Sequence, residues 1–198
     1  MVQVVRGRNC GRRCGVIDHE WMTPDVYQLT IFPADQIARQ LGKLCRFAGA
    51  TPDHWSVARH SLLVAALAPD DPQHKMAALL HDAHECWTGD ILRPVTRLLS
   101  PFAREEVSDI QRDIDLHLYS VIGFDPSPLT LKAVAEADDA ACELEIRLLG
   151  KSSSEITDAL PDLQEAAWQL AFHGNAQIDA MHWMVSYKET LKALEAIR

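Results

Sequence analysis

The sequence predicts an all-α fold, a helical bundle preceded by a small irregular N-terminal arm, on three observations. From Pro33 onward apolar residues recur at intervals of three and four. The segments so marked are bounded by capping and stop signals, and no internal repeat, low-complexity tract or long linker divides them. Residues 1–32 mix Gly and Arg with short β-prone pieces, Val2 to Val5 and Val26 to Ile31, without sustained period. They read as an arm with two short strands, and residues 33–198 read as one helical domain.

The helices are taken in chain order. Ile37, Leu41 and Leu44 mark an amphipathic helix closing near Cys45. After a loop with Gly49, Thr51, Pro52 and Asp53, Ser56 is placed to cap an apolar helix, Val57 to Ala68, which stops before Pro69. The next helix is expected from about Gln73 to Glu85, with punctuation after it at Thr88-Gly89-Asp90 and Pro94. Pro101 opens a long charged helix to Ile122, and Gly123 closes it. Leu129 to Leu149 is helical with Gly150 as its stop, and Ser152 with Glu155 has the capping-box pattern. Helices over Pro161 to Phe172 and Ala176 to Ile197 complete the bundle, with Trp168, Trp183 and Met184 expected in the core.

At 198 residues, 47% hydrophobic and 24% charged, the chain has the balance of an ordinary globular domain. No run approaches the roughly 20 apolar residues of a membrane span. The net charge of −9 repels nucleic-acid polymers and anionic lipid, so an anionic ligand has to be small and met by local Arg or Lys. Five scattered cysteines are a poor disulfide framework and point to a reducing compartment. Cys10 and Cys14 lack the downstream pair a structural zinc needs and read as free thiols. Arg6, Arg8, Arg12 and Arg13 precede no apolar signal core, and the expected location is cytoplasmic.

Chemistry enters where polar residues interrupt apolar runs, a costly placement unless something satisfies them. His60 precedes Leu62-Leu63-Val64, His81 and Asp82 come after Ala77 to Leu80, and Asp138 with Asp139 comes after Val134-Ala135. Singly, each histidine reads as a hydrogen-bonded core residue. Together, two imidazoles and two carboxylates from three helices form a mixed donor set that suits Mn, Fe, Co, Ni or Zn and leaves positions for water or substrate. Other histidines carry less. His19-Glu20 and His84-Glu85 lack the second His of a zinc-protease motif. His84 stays unassigned, and His117, His173 and His182 read as core or surface.

His60, the pair His81-Asp82 and Asp138 resemble the H…HD…D signature of the HD-domain phosphohydrolases. The strings SVARHSLLVA, LLHDAHECWTGDILRPV and AEADDAACELE are similar to the bacterial and phage 5′-deoxynucleotidases over roughly residues 44–149. The resemblance implies one divalent ion held by His60, His81, Asp82 and Asp138, with Glu85 three residues along the same helix over the attacking water. There it orients or deprotonates the nucleophile or protonates the leaving oxygen. Asp90 matches an aspartate near the substrate or leaving group, with helix capping as its other reading. In the string CRFAG, Arg46 matches the arginine placed to bind phosphate. Phe47 stands where better-known members carry tryptophan, which leaves sugar selectivity open.

The function implied is metal-dependent hydrolysis of a nucleotide phosphate ester, first of all deoxynucleoside 5′-monophosphates. The alternatives are a dNTP triphosphohydrolase and a nucleotide-binding HD sensor without turnover. The related nucleotidases are dimers. With Trp168, Phe172, Trp183, Met184 and Tyr187 offering apolar surface on the late helices, a homodimer is expected.

Overall fold

A computed structural model describes residues 30–197. The expected arm, its first strand, Cys10 and Cys14 lie outside the described residues. Thr30 to Phe32, where the second expected strand ends, have no regular structure. Among the described residues the fold is all-α: helices α1 (Ala34–Lys43), α2 (Val57–Leu67), α3 (Pro72–Leu80), α4 (Glu85–Thr88), α5 (Arg93–Leu98), α6 (Pro101–Ile122), α7 (Pro128–Leu148), α8 (Ser153–Ala159), α9 (Gln164–Ala171) and α10 (Ala176–Ala196). A 3-10 turn occupies Arg46–Gly49, and one isolated antiparallel bridge joins Cys45 to Ser56. No described helix is long and apolar enough to cross a membrane.

α2 is the axis. Its residues Val57 to Val64 are all buried, as the apolar run requires, and α1, α3, α7, α9 and α10 pack around it. Ser56 caps it by accepting from the Arg59 amide. Arg59 is fully buried on this helix because Asp179 of α10 and Gln169 of α9 take its guanidinium, which also lies 4.5 Å from the Phe172 ring centre. Losing one partner of such a buried pair costs about 3–5 kcal/mol, so Asp179 holds α10 onto α2. Gly174 leaves room for this pair, since a Cβ there would collide with Asp179 Oδ1.

Most helix ends fall where expected. Ser127 caps α7, Gly123 and Gly150 take positive φ after α6 and α7, and the Ser152/Glu155 capping box forms on α8. Three expectations are corrected. The helix expected to reach Glu85 ends at Leu80. Beyond it the amides of Ala83, Glu85, Cys86 and Trp87 each bond the carbonyl three residues back, a tightened turn before α4. The helix expected from Pro161 begins at Gln164. Trp168 is 44% exposed, stacked on Phe172 at the surface, whereas Trp183 is fully buried and donates to the Leu79 carbonyl.

The loop between α1 and α2 is strained. Its flanks are tied by Arg46 N to Trp55 O (2.9 Å) and Val57 N to Leu44 O (3.0 Å). The chain turns between them through three consecutive left-handed residues, Phe47 (φ 55°), Ala48 (φ 53°) and Gly49 (φ 73°). Each residue with a Cβ costs about 1–2 kcal/mol there.

Candidate metal centre

Three helices deliver the donors. His60 stands on the buried face of α2, His81 and Asp82 open the turn after α3, and Asp138 stands on α7, which packs against both helices. His60, His81 and Asp138 offer ligand atoms within 4.8 Å of one another. Asp138 Oδ1 is 2.9 Å from His60 Nε2 and 3.9 Å from His81 Nε2. Asp82 Oδ2 is 3.1 Å from His81 Nε2 and 3.7 Å from His60 Nε2. His81 Nδ1 lies 2.8 Å from the Ala78 carbonyl, which takes its proton and turns Nε2 toward the carboxylates.

These residues fit a metal ion. Ligands at about 2.1 Å and right angles lie about 3 Å apart, close to the shortest separations in the cluster. His81 Nε2 is buried without a hydrogen bond although Asp82 is 3.1 Å away. The two atoms are close but not aligned to bond each other, as expected of donors aimed at a common centre. A buried nitrogen left in that state is unfavourable unless something occupies the centre.

The charges are strongly coupled. Burial works against a protonated His81, but the Asp82 carboxylate and then Asp138 hold it up at about 9. Burial likewise opposes an ionised Asp82, and His81, His60 and Arg46 overcome it and carry the group well below the carboxylate range. Asp138 obeys the same logic, drawn down to about 2 against its burial by the His60 hydrogen bond and the His81 charge.

His81 has an ordinary value of 6.5, so its stabilisation of the metal-free protein is complete below that pH and lost as pH rises through about 9. Glu85, also raised, acts in the same sense. Metal takes only the neutral imidazole and therefore binds more tightly as pH rises. The metal-free melting temperature is expected to fall between about pH 6.5 and 9, while stabilisation by added Mn²⁺ grows over the same window. Melts in chelator and in Mn²⁺ that run parallel would contradict the ligand set.

Beside the cluster a cavity of about 350 Å³ is lined by Arg46, Phe47, Asp82, Glu85, Asp90, Arg93, Asp138 and Cys142, with Ile91, Leu92, Pro94 and Ile146 as an apolar wall. All the candidate residues except the two histidines thus line one space. Its volume is at the small end of ligand pockets. Arg46 Nε and Glu85 Oε2 are buried without partners. Burial, and then the negative charges of Asp82 and Asp90, push the Glu85 carboxyl up to about 9, so it holds a proton near neutrality. Asp90 is raised too, by burial first and with Asp82 next among the groups raising it. Asp90 caps no helix, contrary to its capping reading, because α5 starts after Leu92 without a side-chain cap. Glu85 stands across a 3-10-like turn from Asp82 rather than along one α-helix, which keeps the two on one side.

Four contributors escaped the sequence reading. Glu145, fully buried, accepts from His60 Nδ1 (2.7 Å), Trp55 Nε1 (2.8 Å) and Arg46 (3.0 Å). Arg93 donates to Asp138 Oδ2 (3.1 Å) and Asp139 (3.4 Å). The Cys142 thiol sits 3.3 Å from the Arg46 guanidinium. Asp115 of α6 pairs with His84 at 3.1 Å, which gives that histidine a place behind the turn. Signals existed for Glu145, which lies seven residues beyond Asp138 on one helical face, and for Arg93, inside the string after Asp90. Cys45, Cys86 and Cys142 are free thiols.

No protein-family model matches the chain. Over 72 residues, 36% of its length, it is 40% identical to the uncharacterized protein YfdR of Escherichia coli K12. The match spans 39% of that protein.

Proposed function

We propose that the protein is a metal-dependent phosphohydrolase of the HD type acting on deoxynucleoside 5′-monophosphates. The observation carrying this reading is the convergence of His60, His81, Asp82 and Asp138 beside a cavity lined by Arg46 and by Glu85, whose carboxyl is pushed toward its protonated form by burial. Those four residues would hold a divalent ion of Mn, Fe, Co, Ni or Zn, which would supply Lewis-acid activation of water and of a phosphoryl oxygen. Arg46, which lines the cavity, offers its guanidinium to the phosphate while Glu145 holds one of its terminal nitrogens. Glu85 donates its proton to the departing sugar oxygen, and Asp90 beside it orients the same group.

Release of inorganic phosphate from deoxynucleoside monophosphates, assayed over all bases with Mn²⁺, Co²⁺, Ni²⁺, Zn²⁺ and Mg²⁺, tests the reading. Release of triphosphate from dNTPs instead would select the second reading, a triphosphohydrolase, which the additional cation Arg93 in the cavity wall favours. Nucleotide binding without turnover would select the sensor.

Phe47 tests sugar selection. An apolar ring against C2′ leaves an added hydroxyl unpartnered, a discrimination on the order of 100-fold. Phe47→Ala is expected to raise relative activity on ribonucleotides and Phe47→Trp to lower it, read as kcat/KM on one deoxy and ribo pair. An unchanged ratio in the Ala variant would make Phe47 a packing residue.

A homodimer belongs to the same proposal, but its support moves. Trp183 and Tyr187 are core residues, and the exposed apolar side chains include Leu98, Phe102, Leu116 and Val121 of α5 and α6. A monomeric mass by light scattering at micromolar concentration would remove the dimer.

A further inference from the structure

We infer that Glu145 is a positioning residue through which one buried carboxylate sets both the metal-ligating imidazole of His60 and the phosphate-facing guanidinium of Arg46. The inference rests on the proposed roles of those two residues and adds a dependence between them. Glu145 is completely buried, and a carboxylate in that state persists only when its lone pairs are satisfied. Oε1 takes His60 Nδ1–H and Trp55 Nε1–H, and Oε2 takes an Arg46 N–H. All three donors come from the strained loop and the first turns of α2, so one side chain of α7 fastens that whole edge of the site.

The atoms act in two directions. Accepting from Nδ1 fixes the His60 ring and turns Nε2 toward Asp82 and Asp138, the arrangement that orients metal-bound histidines generally. Accepting from one terminal nitrogen of Arg46 holds its guanidinium at the cavity wall, with Nε buried and unpartnered. A carboxylate serving only the imidazole would affect metal alone. One serving only packing would affect neither ligand.

The test uses the whole chain, with Mn²⁺ alone and then inorganic phosphate in saturating Mn²⁺ as probes, in Glu145→Gln and Glu145→Asp. Removing the partner of a metal-bound histidine lowers metal affinity about 10–100-fold. That loss is expected for Mn²⁺ in Glu145→Gln, together with weaker phosphate binding even at saturating metal, and a smaller loss of both in Glu145→Asp. Wild-type affinity for both probes with a lowered melting temperature would overturn the inference and leave Glu145 a packing residue. Loss of metal affinity alone would overturn the dependence on Arg46. Should Glu145→Gln fail to fold, Glu145→Asp decides on the same criteria. Wild-type protein that binds neither probe would defeat the proposed function itself, a separate outcome.

Discussion

His81→Ala and Asp82→Ala are each expected to abolish turnover and to leave purified protein with little or no transition metal, against close to one ion per chain in the wild type. The effect is large because these residues supply adjacent donors at one centre, and an ion with three ligands loses both affinity and placement. The metal-free variants should still fold. In the metal-free protein the Asp82 charge is held mainly by His81, so removing either leaves the other partly compensated by His60, Arg46 or Asp138. Elemental analysis of both variants is the measurement, and full metal retention in both would end the ligand assignment.

Glu85→Gln is expected to cut kcat by about 100-fold or more, the scale of a positioned proton-transfer group, with metal content and KM nearly unchanged. Gln fills the same space and can still hydrogen-bond, but it carries no transferable proton. That separates chemistry from shape. The second part of the expectation is the pH profile. Wild-type activity should decline as pH rises through the region where Glu85 gives up its proton, about 9 in the metal-free protein and lower once metal charge is added nearby. A fall in kcat below about fivefold with a raised KM would make Glu85 a binding residue.

What could be read from the sequence depended on whether a residue's role shows in its own neighbourhood. His60, His81, Asp82 and Asp138 stand out because a metal-binding side chain within or directly after an apolar run contradicts its surroundings. Glu145 lies in Glu-Leu-Glu-Ile-Arg, where alternating charge suggests a solvated face, and only the packing of α2 against α7 reveals that it is buried. The end of α3 was invisible for the opposite reason. Leu79, Leu80 and Ala83 continue the helical period without Gly or Pro, and the break is made by the three-residue hydrogen bonds of the turn rather than by any breaker residue. Trp168 misled because its indole area suggests core, whereas Arg59 and Phe172 give it a half-exposed resting place beside the buried Asp179 pair.

The left-handed run at Phe47, Ala48 and Gly49 sets two selective pressures against each other. Glycine at position 48 would release backbone energy that alanine holds, so a library screened for heat resistance should accumulate Ala48→Gly. It would also let the loop wander and carry the neighbouring ring away from the cavity. The same library screened for discrimination between sugars should keep alanine, because a loop that pays to stay bent is one whose position is already decided before a ligand arrives.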